Sequence, residues 1–161
     1  MKNEGLVDLL IGNMKNQKEI YRELLALSEK KTDVLVKGDV KALEEITEVE
    51  QEMILKLGRI ESERMEIVES LCGGETTAEK LKDILPADKK KEFESIVEEL
   101  KGILLKLQRS NEVNEKLIRG ALEYINFSIE LMTSAVKKNT GYDSGGRTSE
   151  EGTLRIIDKK A

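Results

Sequence analysis

From Lys89 to Asn139 the chain runs for about fifty residues with no proline and two glycines, and its apolar residues return at steps of three and four. The series is Phe93, Val97, Leu100, Leu104 and Leu107, then Ile118, Leu122, Ile125, Ile129, Met132 and Val136. This spacing predicts one helix over 88–139. At 1.5 Å per residue it would extend roughly 75 Å, so whatever precedes it must be elongated to cover even part of it. Its two halves differ. On a wheel of about 100° per residue, the strongly apolar positions from Phe93 to Leu107 fall mainly within an arc of roughly 120°, with Leu105 as the outlier. From Ala121 to Val136, Tyr124, Phe127 and Leu131 join the first stripe, and with Ala121 and Ala135 the arc widens beyond ~200°. Glu123, Asn126, Glu130, Thr133, Ser134 and Lys137 are left as the polar face. A helix that is apolar on two sides needs two neighbours.

The 161 residues before and around this helix leave room for one domain. A composition of 37% charged, 39% hydrophobic and 3% aromatic residues suits paired helices better than a bulky globular core. The net charge of −5 argues against nucleic acid, whose backbone requires a basic surface. Lys89-Lys90-Lys91 is the one lysine triplet and reads as a solvated helix start. No apolar run approaches the ~18 residues of a membrane span, and Met1-Lys2-Asn3-Glu4 does not open a signal peptide. The expected location is therefore cytoplasmic, without membrane insertion. The single cysteine, Cys72, cannot form an internal disulfide and fits a reducing compartment.

Taken from its start, the chain predicts a first helix over 3–36, with Leu6, Leu10, Ile20, Leu24, Leu27 and Val34 on one seam and Val7, Met14, Tyr21 and Leu35 beside them. Asn13, Gln17 and Lys31 interrupt that seam, as polar residues that fix register do. Gly38 can take a left-handed conformation and Asp39 can cap the next helix, so the first two helices should form an antiparallel hairpin. The second helix is predicted over 40–72, with Leu43, Ile46, Met53, Ile54, Leu57, Ile60, Ile67, Val68 and Leu71 inward. Glu50 and Arg64 stand where that seam should be apolar, and each needs a partner on another helix or a route to the edge. After Cys72-Gly73-Gly74, the capping-box spacing of Thr76 with Glu79 and the apolar Leu81, Ile84 and Leu85 predict a short connecting helix over 76–85 that plugs one end of the bundle. Pro86 breaks the chain and Asp88 is the expected cap of the long helix.

The fold expected is thus all-α: an elongated antiparallel bundle of three long helices and a short connecting one over 1–139, with a flexible tail over 140–161. The tail is rich in glycine and hydroxyl groups from Thr140 to Gly152. Its end, Thr153 to Lys159, is apolar again and is either an uninvolved terminus or a segment able to join a sheet edge or groove. Nothing predicts an enzyme. The chain has no histidine, no glycine-rich phosphate loop and no cysteine cluster, so no metal, cofactor or catalytic residue is expected, and Cys72 lacks a histidine base. Function should lie in binding.

The helical hairpin with its Gly38-Asp39 turn, the leucine-rich second helix carrying Arg64, Asn111 and Asn114 ahead of Leu117-Ile118, and the tail's Thr140-x-Tyr142 followed by glycines together resemble the FlgN-type flagellar export chaperones. The resemblance implies a cytoplasmic chaperone that binds the helical C-terminal segments of flagellar hook-filament junction (hook-associated) proteins, prevents premature assembly and delivers them to the flagellar type III export gate. It also associates the end of the last helix with the client and the tail tyrosine, here Tyr142, with the gate. Asn111 and Asn114 are expected to form a polar layer across the bundle.

Residues and resemblance meet where a hairpin with arms near 50 Å would leave the last ~25 Å of the long helix uncovered, from about Leu122 onward. The expected client-binding residues are Leu122, Tyr124, Ile125, Phe127, Ile129, Leu131, Met132 and Val136. The expected gate-docking residues are Tyr142, Leu154, Ile156 and Ile157. The same surface could instead close a homodimer, either of the free chaperone or of a structural coiled-coil scaffold, or could serve another secreted filament protein.

Overall fold

The computed structural model describes residues 2–74 and 76–140, with side chains over 3–74 and 76–137. Its helices in chain order are α1 (Lys2–Lys37), α2 (Val40–Cys72), α3 (Ala78–Ile84) and α4 (Ala87–Thr140), and no strand occurs among the described residues. The chain divides into two compact units, Met1–Asn114 and Glu115–Ala161.

In the first unit the turn between α1 and α2 is built by two residues. Gly38 takes a left-handed φ of 72°, its N–H bonds to the Leu35 carbonyl at 3.3 Å, and the Asp39 N–H reaches the Val34 carbonyl at 3.2 Å. That double closure satisfies carbonyls the helix would otherwise leave open, and it favours glycine because a side chain is strained at positive φ. Asp39 then caps α2, its carboxylate accepting from the Ala42 N–H at 3.1 Å. Gln17 meets Arg64, Tyr21 meets Glu61 and Lys31 meets Glu50, so partner numbers fall as those of α1 rise. The hairpin is antiparallel, and its arms are the closest-packed pair of helices.

The first part of α4 lies parallel to α1. Asp8 pairs with Lys89 and Lys18 with Glu99, both at 2.9 Å, while Ser28 meets Ser110 and Thr32 meets Asn114. The hydrogen bond from Lys18 holds the Glu99 carboxyl below the usual carboxylate range. Exposed pairs of this kind contribute little to stability, but they agree with the register.

Apolar packing in this unit falls into two clusters. Val7, Leu10, Ile11 and Met14 of α1 close on Phe93, Ile96 and Leu100 of α4, and Leu81 of α3 and Leu85 just beyond it belong to the same cluster. The second cluster joins Ile20 and Leu24 to Leu57, with Met53, Ile60 and Leu107 packed against it. At ~25 cal/mol per Å² of apolar surface, burying Phe93, which is 1% exposed, contributes on the order of 2–3 kcal/mol.

Four expectations are corrected. Ile54 is exposed because it falls about 100° around α2 from Met53, outside the narrow seam facing α1. Ile84 is likewise exposed, so the core is sealed here by Leu81 of α3 and by Leu85, the residue that ends it. The cap of α3 is Thr77, whose hydroxyl accepts from the Lys80 N–H at 3.3 Å. The residue three beyond the cap is therefore Lys80, and no capping box forms. Asp88 lies inside the first turn of α4, and the Pro86 carbonyl receives the Lys89 and Lys90 N–H groups at 3.0 and 2.9 Å. A proline has no N–H to lose at a helix start, so it serves there without cost. Cys72 is half-buried, packed against the first cluster.

Candidate functional site

The first unit answers its own buried polar groups. Asn13 donates to the Ile60 carbonyl at 2.9 Å, Gln17 donates to Asn13 at 3.0 Å, and Arg64 donates to the Gln17 oxygen at 3.3 Å. The residue opposite Glu50 is Lys31, at 3.0 Å. Between α1 and α4, Asn114 donates to the carbonyl and hydroxyl of Ser28 at 2.9 and 3.1 Å and accepts from Thr32 at 2.5 Å. Ser28 also donates to Asn111 at 2.9 Å. Asn111 and Asn114 do form a polar layer, and its other half is Ser28 and Thr32, whose signal in the sequence was no more than two hydroxyls among the many polar residues of α1.

None of these groups is arranged for acid–base chemistry. Tyr21 donates to Glu61 at 2.9 Å, and burial, reinforced by that bond, pushes its phenol up to about 12. Such a shift leads away from a proton-transfer role at neutral pH. Among the described residues no group of three or more histidines, cysteines or carboxylates is placed to hold a metal. No helix among them is long and apolar enough to cross a membrane. A cavity of about 660 Å³ beside α3 is lined by Leu10, Met14, Val68, Leu81 and Phe93 together with Arg64, Glu69 and Thr76.

The second unit is different in kind. Its described part is the stretch of α4 from Glu115 onward, and large apolar side chains stand in solvent along it: Tyr124 and Met132 are each 72% exposed, Phe127 57% and Leu131 56%. Ile118, Ile125 and Val136 are exposed as well, and Leu122 and Ile129 are half-buried. At about 100° per residue, Ile118, Leu122, Ile125, Ile129, Met132 and Val136 form one stripe, and Tyr124, Phe127 and Leu131 form another on the opposite side. Ser128 and Thr133 bond back to the carbonyls of Tyr124 and Ile129, at 2.9 and 2.7 Å, so their hydroxyls are already engaged.

All eight residues expected to bind a client therefore lie on this one stretch of α4. Two further residues adjoin the first stripe. Ile118 continues the first stripe by one turn, which the periodicity already signalled. Asn126 was counted with the polar face, although it lies four residues after Leu122 and three before Ile129 and so borders the stripe. Tyr142, Leu154, Ile156 and Ile157 lie outside the described residues.

Paired helices with internally satisfied polar groups, followed by a helical stretch that presents apolar side chains on two sides, define a helical binding protein. Its family emerges from comparison with known proteins. The family model described as FlgN protein matches residues 1–150, and the chain belongs to that family of flagellar export chaperones. The chain is also 27% identical over 156 residues to YvyG, an uncharacterized protein of Bacillus subtilis (strain 168), covering 94% of this chain and 97% of YvyG. No solved structure matches it. Membership of this family implies binding of flagellar hook-associated proteins in general.

Proposed function

We propose that this chain is a cytoplasmic chaperone that takes up the helical C-terminal segments of hook-filament junction proteins along α4 between Leu122 and Val136, keeps them from assembling and delivers them to the flagellar type III export gate. The observation supporting this reading is the pair of apolar stripes that α4 carries in solvent, with Tyr124, Phe127, Leu131 and Met132 more than half exposed. Covering such side chains with the apolar face of a client helix would contribute ~25 cal/mol per Å² before ordering costs. The covered client surface could not then reach another copy of the client. Delivery is assigned to the tail, with Tyr142 as the gate contact and Leu154, Ile156 and Ile157 assisting it.

Solution mass, measured with and without the C-terminal segment of a hook-filament junction protein from the same genome, tests the proposal. A chaperone gives a heterodimer at the expense of any homodimer of the free chain. A dimer that persists unchanged at saturating segment would make the protein a coiled-coil scaffold.

A further inference from the structure

The two apolar stripes of α4 are joined on one side by small residues. Ala121, Ser128 and Ala135 recur at steps of seven between them, and with Leu117, Tyr124 and Leu131 they make a seam whose steps alternate four and three. The first stripe keeps the same steps from Ile118 to Val136, displaced by one residue and hence by about 100° around the helix. It is large at every position. The seam instead reads Leu117, Ala121, Tyr124, Ser128, Leu131, Ala135, large and small in strict alternation over about 27 Å. Tyr124 and Leu131 are more than half exposed, Ala121 and Ala135 are exposed, and Leu117 and Ser128 are half-buried. The Ser128 hydroxyl donates to the Tyr124 carbonyl of its own helix at 2.9 Å, so it brings no unmet donor to the seam.

Turned end for end, this order is its own complement. Laid antiparallel across a two-fold axis level with Asn126, the seam sets Leu117 against Ala135, Ala121 against Leu131 and Tyr124 against Ser128, so every large side chain faces a small one. Such alternation lets facing layers interdigitate, and a two-fold interface requires a patch that complements itself. Parallel pairing sets like against like at every level, and so does a slip of one turn in the antiparallel pair. We propose that in the free chain the α4 seam from Leu117 to Ala135 pairs antiparallel with the same seam of a second copy. Ile125 and Phe127 stand about 80° to either side of the seam's centre, so the pairing brings each beside its own counterpart at the edge of the contact. The pairing does not depend on the client reading. Tyr124 and Leu131 are among the residues assigned to the client, however, and on that reading the second copy covers this surface until a client displaces it. The contact is short, as a pairing that has to yield requires.

Sedimentation equilibrium of the full chain without client, over a range of concentrations, tests the pairing by exchanging two side chains. Tyr124→Ser sets serine against serine and leaves a gap, Ser128→Tyr sets tyrosine against tyrosine and overfills the contact, and the two changes together restore one large residue against one small. We expect a wild-type dimer, a dissociation constant about tenfold or more higher in each single variant, and a double variant within about threefold of wild type. A chain that stays monomeric throughout, a dimer indifferent to both single changes, or a double variant in which the two losses add would each overturn the proposal. Adding the C-terminal segment of a hook-filament junction protein from the same genome separates the two readings. A dimer that gives way to a heterodimer supports the displacement, and a dimer that keeps its partner while binding the segment overturns it. A segment that binds a chain with no dimer leaves the client reading standing and this proposal fallen; a dimer restored by the exchange that takes up no segment does the reverse.

Discussion

Arg64 stands on α2 where an apolar residue would suit the seam, and its guanidinium donates to the buried Gln17 at 3.3 Å. Arg64→Ala removes that donor from an oxygen shut away from water, so the chain should lose about 1–3 kcal/mol in urea unfolding, toward the lower end because the bond is long for a charged donor. Client affinity of the folded fraction should stay the same. A normal unfolding midpoint with lost binding would instead move Arg64 into the recognition site. Tyr21 gives a pH test. Its folded pKa is raised to about 12 from 10.0, first by burial and then by its bond to Glu61. The proton is held more tightly in the folded state, so this contribution is complete below pH 10 and is lost as the pH rises through the folded value of about 12. Stability measured across that window should fall, and Tyr21→Phe should flatten the fall. The need for partners at Glu50 and Arg64 was legible from their place on the seam. Their identities were not, because Lys31 and Gln17 become neighbours only once the register of the hairpin is set, and periodicity along one helix does not carry the register between two.

Helix boundaries were legible wherever one residue type has a single use. Gly38 followed by Asp39 ends α1 and starts α2 because a left-handed glycine and a capping carboxylate do different things at adjacent positions. Gly38→Ala should therefore cost about 1–2 kcal/mol, read as a shifted urea midpoint with an unchanged slope. Boundaries were misread where neighbours compete for one role. Thr76 and Thr77 can each cap a helix, and the spacing to Glu79 favoured the wrong one. Asp88 could have capped α4, but the carbonyl of Pro86 stands two residues earlier and starts the helix sooner. Ile54 and Ile84 show the same limit in packing: an apolar residue follows the stripe only as far as a neighbour covers it, and each lies beyond that edge. The two-sided pattern of α4 past Ala121 was readable because helical geometry alone converts spacing into faces.

At the scale of the whole molecule, carrying a client and handing it over are assigned to different segments. Tyr142 stands in a glycine-flanked sequence with too little apolar content to fold alone, yet tyrosine offers a large contact area with few rotamers to freeze. Tyr142→Ala should bind client with unchanged affinity and dock poorly on the cytoplasmic domain of the export gate, and removal of residues 154–161 should weaken docking less. Titrating the same variant against both partners checks this, and equal losses in both would assign the tail to the client site. The central claim concerns α4 itself. Ile125 is exposed, so an aspartate there lands on the surface assigned to the client and outside the packed core of the first unit. The most direct measurement is the affinity of Ile125→Asp for the C-terminal segment of a hook-filament junction protein, taken alongside thermal unfolding of the free variant. A loss of about a hundredfold or more with an unchanged melting temperature is the result expected from burying an unpaired charge in the interface; full affinity, or cooperative unfolding of the free variant, would contradict the account.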